Sequence, residues 1–344
     1  MKKIIHVCIF EKFLPPFVKF LSEEEHSHEH KYYFTGNFKD ADKYKIQNDN
    51  VCIANRAPIF LRMIYDLHAA DKIILHGLIS MNLYLILISM PWLLKKSYWV
   101  IWGSDLYESH ASQNKMRAFF KGIAKKFIIK RLGHFITYIK GDYDLAKKWY
   151  GAKGEYHECI MYLSNVFEDQ NFPLKKNNET TLLIGNSGFP SNNHYQAFDK
   201  LSTYKDYDLK IYIPLSYGDG SYIENIKNKG SKNFGKKFIP LTEFLPLAEY
   251  KKILSEVDIG VFANKNQQAM GTIIALLGMG KKVYMRNDIT PWSFFQEKGI
   301  KVFDIEHLDM KPLSENIANT NIERVKDYFS KKQLIKQLNT IFDS

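Results

Sequence analysis

A short apolar run ended by a glycine–serine turn, Leu182-Leu183-Ile184 before Gly185-Asn186-Ser187-Gly188, leaves the chain around it few options. Consecutive aliphatic residues with no polar alternation read as a strand covered on both faces, as in a parallel sheet packed between helices. The turn residues tolerate positive φ. Ser191, Asn192 and Asn193 are N-cap candidates for a helix through Gln196, Ala197, Phe198 and Leu201. Such a turn aims backbone N–H groups and a helix start at one spot, which suits a phosphate. The same string serves equally as a plain strand–turn–helix connection.

The pattern recurs. Residues 4–10, 31–34, 71–77, 98–102 and 135–138 read as strands, and residues 209–214, 259–262 and 282–285 do so after the run at 182. Helical stretches lie between them, among them an apolar helix from Gly271 closed by Gly280. Alternating strands and helices predict parallel sheets with right-handed crossovers. At 344 residues the chain is long for one core, and a polar stretch at 168–178 divides it. The expected architecture is two Rossmann-like α/β domains, 1–165 and 178–320, facing across a cleft, with 321–344 as a helical tail.

Composition narrows the partners. The net charge of +11 points to an anionic ligand or surface, or to a lysine-rich solvated exterior. No nucleic-acid-binding motif accompanies the lysines, so no nucleic acid partner is expected. Cys8, Cys52 and Cys159 show no metal spacing and suit a reducing compartment without disulfides. The N-terminus reads as a first strand rather than a signal peptide. Residues 78–94 are strongly apolar but carry Ser80, Asn82, Ser89 and Pro91; they suit a helix buried on the sheet, with a membrane-inserted element as the other reading. Residues 115–131 interleave Phe119, Phe120 and Phe127 with Lys121, Lys125 and Lys126. That pattern fits an anionic membrane surface, or equally a core-packed helix with solvated lysines.

Three polar residues follow first-half strands: Glu11, His76 and Asp105. Ligand sites of doubly wound sheets lie at such carboxyl edges. Asp105 in a low-dielectric cleft would serve as a general base, or it caps the helix that follows. Glu11 reads otherwise as a solvated loop carboxylate. The strings Asp40-Ala41-Asp42, Asp142-Tyr143-Asp144 and Asp206-Tyr207-Asp208 sit in polar segments and are taken as chance rather than as a metal motif.

Several segments in order carry a resemblance. They are His76-Gly77; Trp102-Gly103-Ser104-Asp105-Leu106-Tyr107-Glu108; Gly185-Asn186-Ser187-Gly188 with Ser191-Asn192 and His194; Tyr217 with Tyr222-Ile223-Glu224; and Gln267-Gln268 with Gly271-Thr272. Together they resemble the bacterial 4-acetamido-4,6-dideoxy-galactosyl (Fuc4NAc) transferase family, which builds the lipid-linked repeat of enterobacterial common antigen. The likeness weakens after Arg286, and the loop at residues 10–16 lacks the family's histidines. The resemblance implies a GT-B fold, a dTDP-sugar donor and an undecaprenyl-diphosphate-linked saccharide acceptor. It places the protein peripherally at the cytoplasmic face of the bacterial inner membrane. It makes the first domain the acceptor side, with Asp105, His76 and Glu11 as catalytic candidates. The second domain would bind the donor through Asn186, Ser187, Gly188, Asn192 and His194, through Tyr217 and Tyr222, and through Gln267, Gln268, Gly271 and Thr272. No metal or other cofactor is expected, because N–H groups and helix dipoles meet the leaving diphosphate in such enzymes. The alternatives are a nonhydrolysing sugar-nucleotide epimerase, a transferase using another nucleotide sugar, and a noncatalytic anion-binding or nucleic-acid-binding module suggested only by the charge.

Overall fold

A computed structural model describes residues 1–24, 27–36, 46, 48–107, 115–169 and 179–344, without the side chains of 115–118. Glu108, the 40–42 string and the linker residues 170–178 lie outside the described residues. Two compact units emerge: Met1–Ser164 with Leu334–Ser344, and Asn165–Gln333.

The first unit holds seven strands: β1 (Lys3–Cys8), β2 (Glu29–Phe34), β3 (Val51–Ile53), β4 (Lys72–His76), β5 (Ser97–Val100), β6 (His134–Ile136) and β7 (Glu155–His157). Their order is β3-β2-β1-β4-β5-β6-β7, and every pairing is parallel. The second unit holds β8 (Thr180–Ile184), β9 (Leu209–Pro214), β10 (Phe238–Leu241), β11 (Ile259–Phe262), β12 (Lys282–Met285) and β13 (Phe303–Asp304), ordered β10-β9-β8-β11-β12-β13 and again all parallel. In each unit the order reverses beside the first strand, and the crevice there, at the carboxyl ends, is where such sheets bind ligands.

The central strands bury both faces. Ile4, Ile5, Ile73 to Leu75 and Trp99 fill the first unit, and Leu182 to Ile184, Ile211, Val261 and Val283 fill the second. Each buried branched side chain contributes about 1.5–3 kcal/mol. The apolar runs were therefore faithful strand signals. β3, β7, β10 and β13 carry no comparable run; they are short outer strands, half covered.

Two expectations need correction. The last residues are no separate tail. Helix Glu315–Tyr328 belongs to the second unit, whereas most of helix Lys331–Asp343 belongs to the first. There it buries Leu334, Leu338, Ile341 and Phe342. Gln337 Oε1 accepts the Ile160 N–H at 2.9 Å, and Lys72 Nζ donates to Ile341 O at 2.7 Å. The 78–94 segment is also only half buried. It forms helix Met81–Ser89 and a 3-10 turn Pro91–Lys96. Leu83, Tyr84, Ile86 and Leu87 go inside, while Met81, Leu85, Ile88 and Trp92 face out. Among the described residues no helix is long and apolar enough to cross a membrane.

Candidate functional site

At the carboxyl edge of the second sheet, the turn after β8 begins at Gly185 with φ +66°. A Cβ there would lie 2.8 Å from both Asn192 Oδ1 and His194 Nε2, so the position tolerates only glycine. Asn192 is buried and stitches the turn. Its Oδ1 accepts the Asn186 N–H at 2.9 Å, and its Nδ2 donates to Ser187 Oγ at 2.8 Å and to Gln268 Oε1 at 3.3 Å. Gln268 also accepts from Asn264 Nδ2 at 2.9 Å and donates to Ser191 Oγ at 2.7 Å. The loops after β8 and β11 thus form one hydrogen-bonded block.

His194 is fully buried, and burial pushes its pKa down to about 4. The Tyr222 hydroxyl accepts the His194 N–H at 3.2 Å, which leaves the hydroxyl proton for Nδ1, also at 3.2 Å. The ring is then neutral with its hydrogen on Nε2. That Nε2 is buried without a partner among the described residues, as are Asn186 Oδ1, Asn264 Oδ1, Asn266 Oδ1 and Gln267 Oε1. Native proteins leave few buried polar atoms unpaired, since each costs about 1–3 kcal/mol. Five such atoms lie together at one sheet edge, where a polar ligand would satisfy them. The four oxygens are hydrogen-bond acceptors, and the imidazole N–H is a donor.

Helix Met270–Gly278 starts on the same loop, capped by Ala269 at φ +61°. The N–H groups of its first turn, Gly271 and Thr272 among them, have no intrahelical acceptor and suit an anion. Thr272 Oγ1 lies 3.3 Å from Tyr250 Oη, and Lys265 is exposed nearby in sequence. Gly188 differs from its expected role. Its N–H donates to Tyr217 O at 2.8 Å, it bridges Gly218, and a Cβ would lie 2.2 Å from Ile223. It is a glycine for close packing, with its amide already used. Tyr217 is exposed, its hydroxyl 3.5 Å from Asn186 Nδ2.

The first unit's carboxyl edge is closed. Asp105 is buried; its Oδ2 accepts the Leu78 N–H at 2.9 Å and Trp99 Nε1–H at 2.7 Å, and its Oδ1 accepts the Trp102 N–H at 2.9 Å. Burial raises its pKa, and the three donors pull the other way. This carboxylate ties the loops after β4 and β5 together. His76 is equally engaged: Nδ1 lies 2.7 Å from Tyr162 Oη and Nε2 2.9 Å from His6 Nδ1. His6 Nε2 lies 3.0 Å from His30 Nδ1, and Trp102 Nε1–H donates to Tyr162 at 2.9 Å. One direction of donation, from Trp102 through Tyr162, His76 and His6 to His30, satisfies every link with neutral rings. Burial lowers the pKa of His76 to about 3 and that of His6 well below the ordinary value. Glu11, half-buried after β1, is the one catalytic candidate of the three in partial contact with solvent. Two residues on, Phe13 packs edge-on against Trp102 at 4.7 Å.

The structure therefore gathers Asn186, Ser187, Asn192, His194, Tyr222, Gln267 and Gln268 in one block, with Gly271 and Thr272 opening the adjoining helix. Sequence reasoning missed Asn264 and Asn266. The signal was present: Asn264-Lys265-Asn266-Gln267-Gln268 is an unbroken polar run straight after a buried strand.

Comparisons with known proteins bear on the fold and the family. Sucrose-phosphate synthase from Thermosynechococcus elongatus superposes with a TM-score of 0.68 at 10% identity, over 100% of this chain and 98% of that one. Anabaena HepE, solved with UDP-glucose, gives 0.66 at 12% identity, with 100% of each chain covered. A putative UDP-N-acetylglucosamine 2-epimerase from Listeria monocytogenes gives 0.53 at 12%, covering 99% and 97%. Likeness at this identity establishes the GT-B-type fold, which transferases and epimerases share. Sequence decides between them: the family described as 4-alpha-L-fucosyltransferase, glycosyl transferase group 56, matches residues 17–332. With nearly the whole length matched, the chain belongs to that family and is a glycosyltransferase.

Proposed function

We propose that the protein moves a deoxy-amino sugar of the Fuc4NAc type from a dTDP-sugar to a polyprenyl-diphosphate-linked saccharide at an anionic membrane surface. The observation that carries the donor half is the cluster of unpartnered buried polar atoms after β8 and β11. In this reading the four amide oxygens hold the base and sugar, and His194 Nε2–H with the first turn of helix Met270–Gly278 meets the diphosphate. Stabilising that charge as it leaves is the main catalytic task, and preorganised donors perform it without reorganisation. HepE, of the same fold, was solved with a nucleotide sugar. Glu11 is proposed as the base toward the acceptor hydroxyl, with Asp105 positioning the loops beside it.

The acceptor half rests on an exposed apolar surface. Helices Met81–Ser89 and Lys115–Arg131 contact each other. Leu85, Trp92, Phe119, Phe120 and Ile123 each expose more than half their area, beside exposed Lys126, Lys130 and Arg131. Apolar wedges rimmed by cations fit an anionic leaflet, at about 1 kcal/mol per basic residue. Two expected participants drop out. Lys125 is buried, with Nζ donating to Leu106 O at 3.1 Å, and Phe127 is half-buried beneath Arg131.

The deciding experiment incubates protein, dTDP-sugar and lipid-linked acceptor and follows dTDP release. Release that requires acceptor is expected. A changed sugar without acceptor would make the protein an epimerase, and a panel of dTDP, UDP and GDP in thermal shift reads the nucleotide separately. Sedimentation with anionic vesicles tests the membrane half: Lys126→Glu with Lys130→Glu should release the protein, as should salt.

A further inference from the structure

The opposite, amino-terminal edge of the first sheet carries a cluster that sugar transfer does not use. His134 opens β6 and Glu155 opens β7, and the two residues are direct register partners. His157 lies two residues on along β7, so its side chain returns to the same face. His134 Nδ1 is 3.0 Å from His157 Nε2 and 3.5 Å from Glu155 Oε2, and His157 Nε2 is 3.8 Å from the same oxygen. A triangle with these sides has a centre about 2.0 Å from all three atoms, matching the ~2.0–2.2 Å of Zn–N and Zn–O bonds. We propose that His134, His157 and Glu155 form a site for a first-row divalent cation of the Zn²⁺ class, which pins the outer strand β7 to β6.

The chemistry of the three ligands fits. Two imidazoles and one carboxylate are a common Zn²⁺ set that leaves a coordination position open. Without metal, one ring donates a hydrogen to the other between Nδ1 and Nε2; the cation takes that hydrogen's place, and the hydrogen moves to the donating ring's other nitrogen. His134 is oriented from behind: the Tyr98 ring stacks on it at 3.9 Å and 6°. Tyr98 is itself fixed by Lys72 Nζ, 3.0 Å from its hydroxyl. The lysine charge stands close by, and the Glu155 carboxylate offsets it. A strand of three residues at the sheet's edge makes few ladder bonds, and a metal bridge to its neighbour adds a contact that the backbone alone does not supply.

Zn²⁺ competition against a chromophoric chelator, on the full chain stripped of metal, tests the site. One equivalent per chain should bind, raise the thermal midpoint, and give Co²⁺ a visible absorption band in the substituted protein. Glu155→Gln should weaken Zn²⁺ at least tenfold, and His134→Gln with His157→Gln should abolish the stoichiometric binding. Glu155 is well exposed, so its variant keeps the fold and decides the matter even if the double variant does not. Absence of stoichiometric Zn²⁺ binding, or equal affinity in wild type and Glu155→Gln, overturns the assignment.

Discussion

The two sheets end in opposite ways. At the first carboxyl edge, both nitrogens of His76 and both oxygens of Asp105 have protein partners. At the second, the loops are hydrogen-bonded into a block and still hold five buried polar atoms without a partner among the described residues. A closed network holds shape; the open one is the proposed donor site. The contrast means that truncating a polar side chain should act on folding in one unit and on binding in the other.

Asp105→Ala should cost most. It strands two backbone N–H groups and the Trp99 indole in a buried site, at about 1–3 kcal/mol each. Urea unfolding should show a loss of several kcal/mol; near-native stability would break the comparison. Glu11→Gln comes next, with turnover falling about 10²–10⁴-fold while stability holds. If Asp105→Asn loses that factor with its fold intact and Glu11→Gln does not, the base is Asp105.

Acid should act on a buried histidine in each unit. The folded pKa of His76 lies near 3 and that of His194 near 4, both depressed from about 6.5. For a base depressed on folding, the unfolded chain binds more protons at low pH. Stability is therefore whole above about pH 6.5 and declines as pH falls toward the folded values. Each ring loses up to about 1.4 kcal/mol per pH unit. Denaturation midpoints at pH 7.5, 6 and 5 check the slope, and a flat profile would mean that these rings are not held neutral.

The smallest effect sharpens the contrast. Asn266→Ala removes an unpaired buried oxygen, so stability should stay level or rise by up to about 1 kcal/mol. Nucleotide affinity should fall about tenfold, read by calorimetry with dTDP. A stability loss like that of Asp105→Ala would show the oxygen to be paired in solution.

Much of this was legible before the coordinates. The apolar run at 182–184 and the mostly apolar stretch at 259–262 read as buried strands and pair in parallel, and Gly185 marked the turn. The polar partners were not legible. Asp105 reads identically as a base or as a brace, because three donors from Leu78, Trp99 and Trp102 come together only in three dimensions. His76 looked available because sequence does not show that His6 and Tyr162 sit on either side of it. Gly188 looked like a phosphate glycine because nothing local reveals Ile223 against it. An amphipathic helix announces that it will pack, though not on which sheet, and so helix Lys331–Asp343 was misplaced.

That last helix also sets an order of events. The second unit occupies one continuous stretch, Asn165–Gln333, whereas the first needs Leu334–Ser344 as well as the opening residues. During synthesis the second unit is complete while the first still lacks the side chains of Leu334, Leu338, Ile341 and Phe342. The unit begun first on the ribosome is therefore the unit finished last, and a chain stalled or clipped before Leu334 lacks part of the first unit's core while every residue of the second is already made.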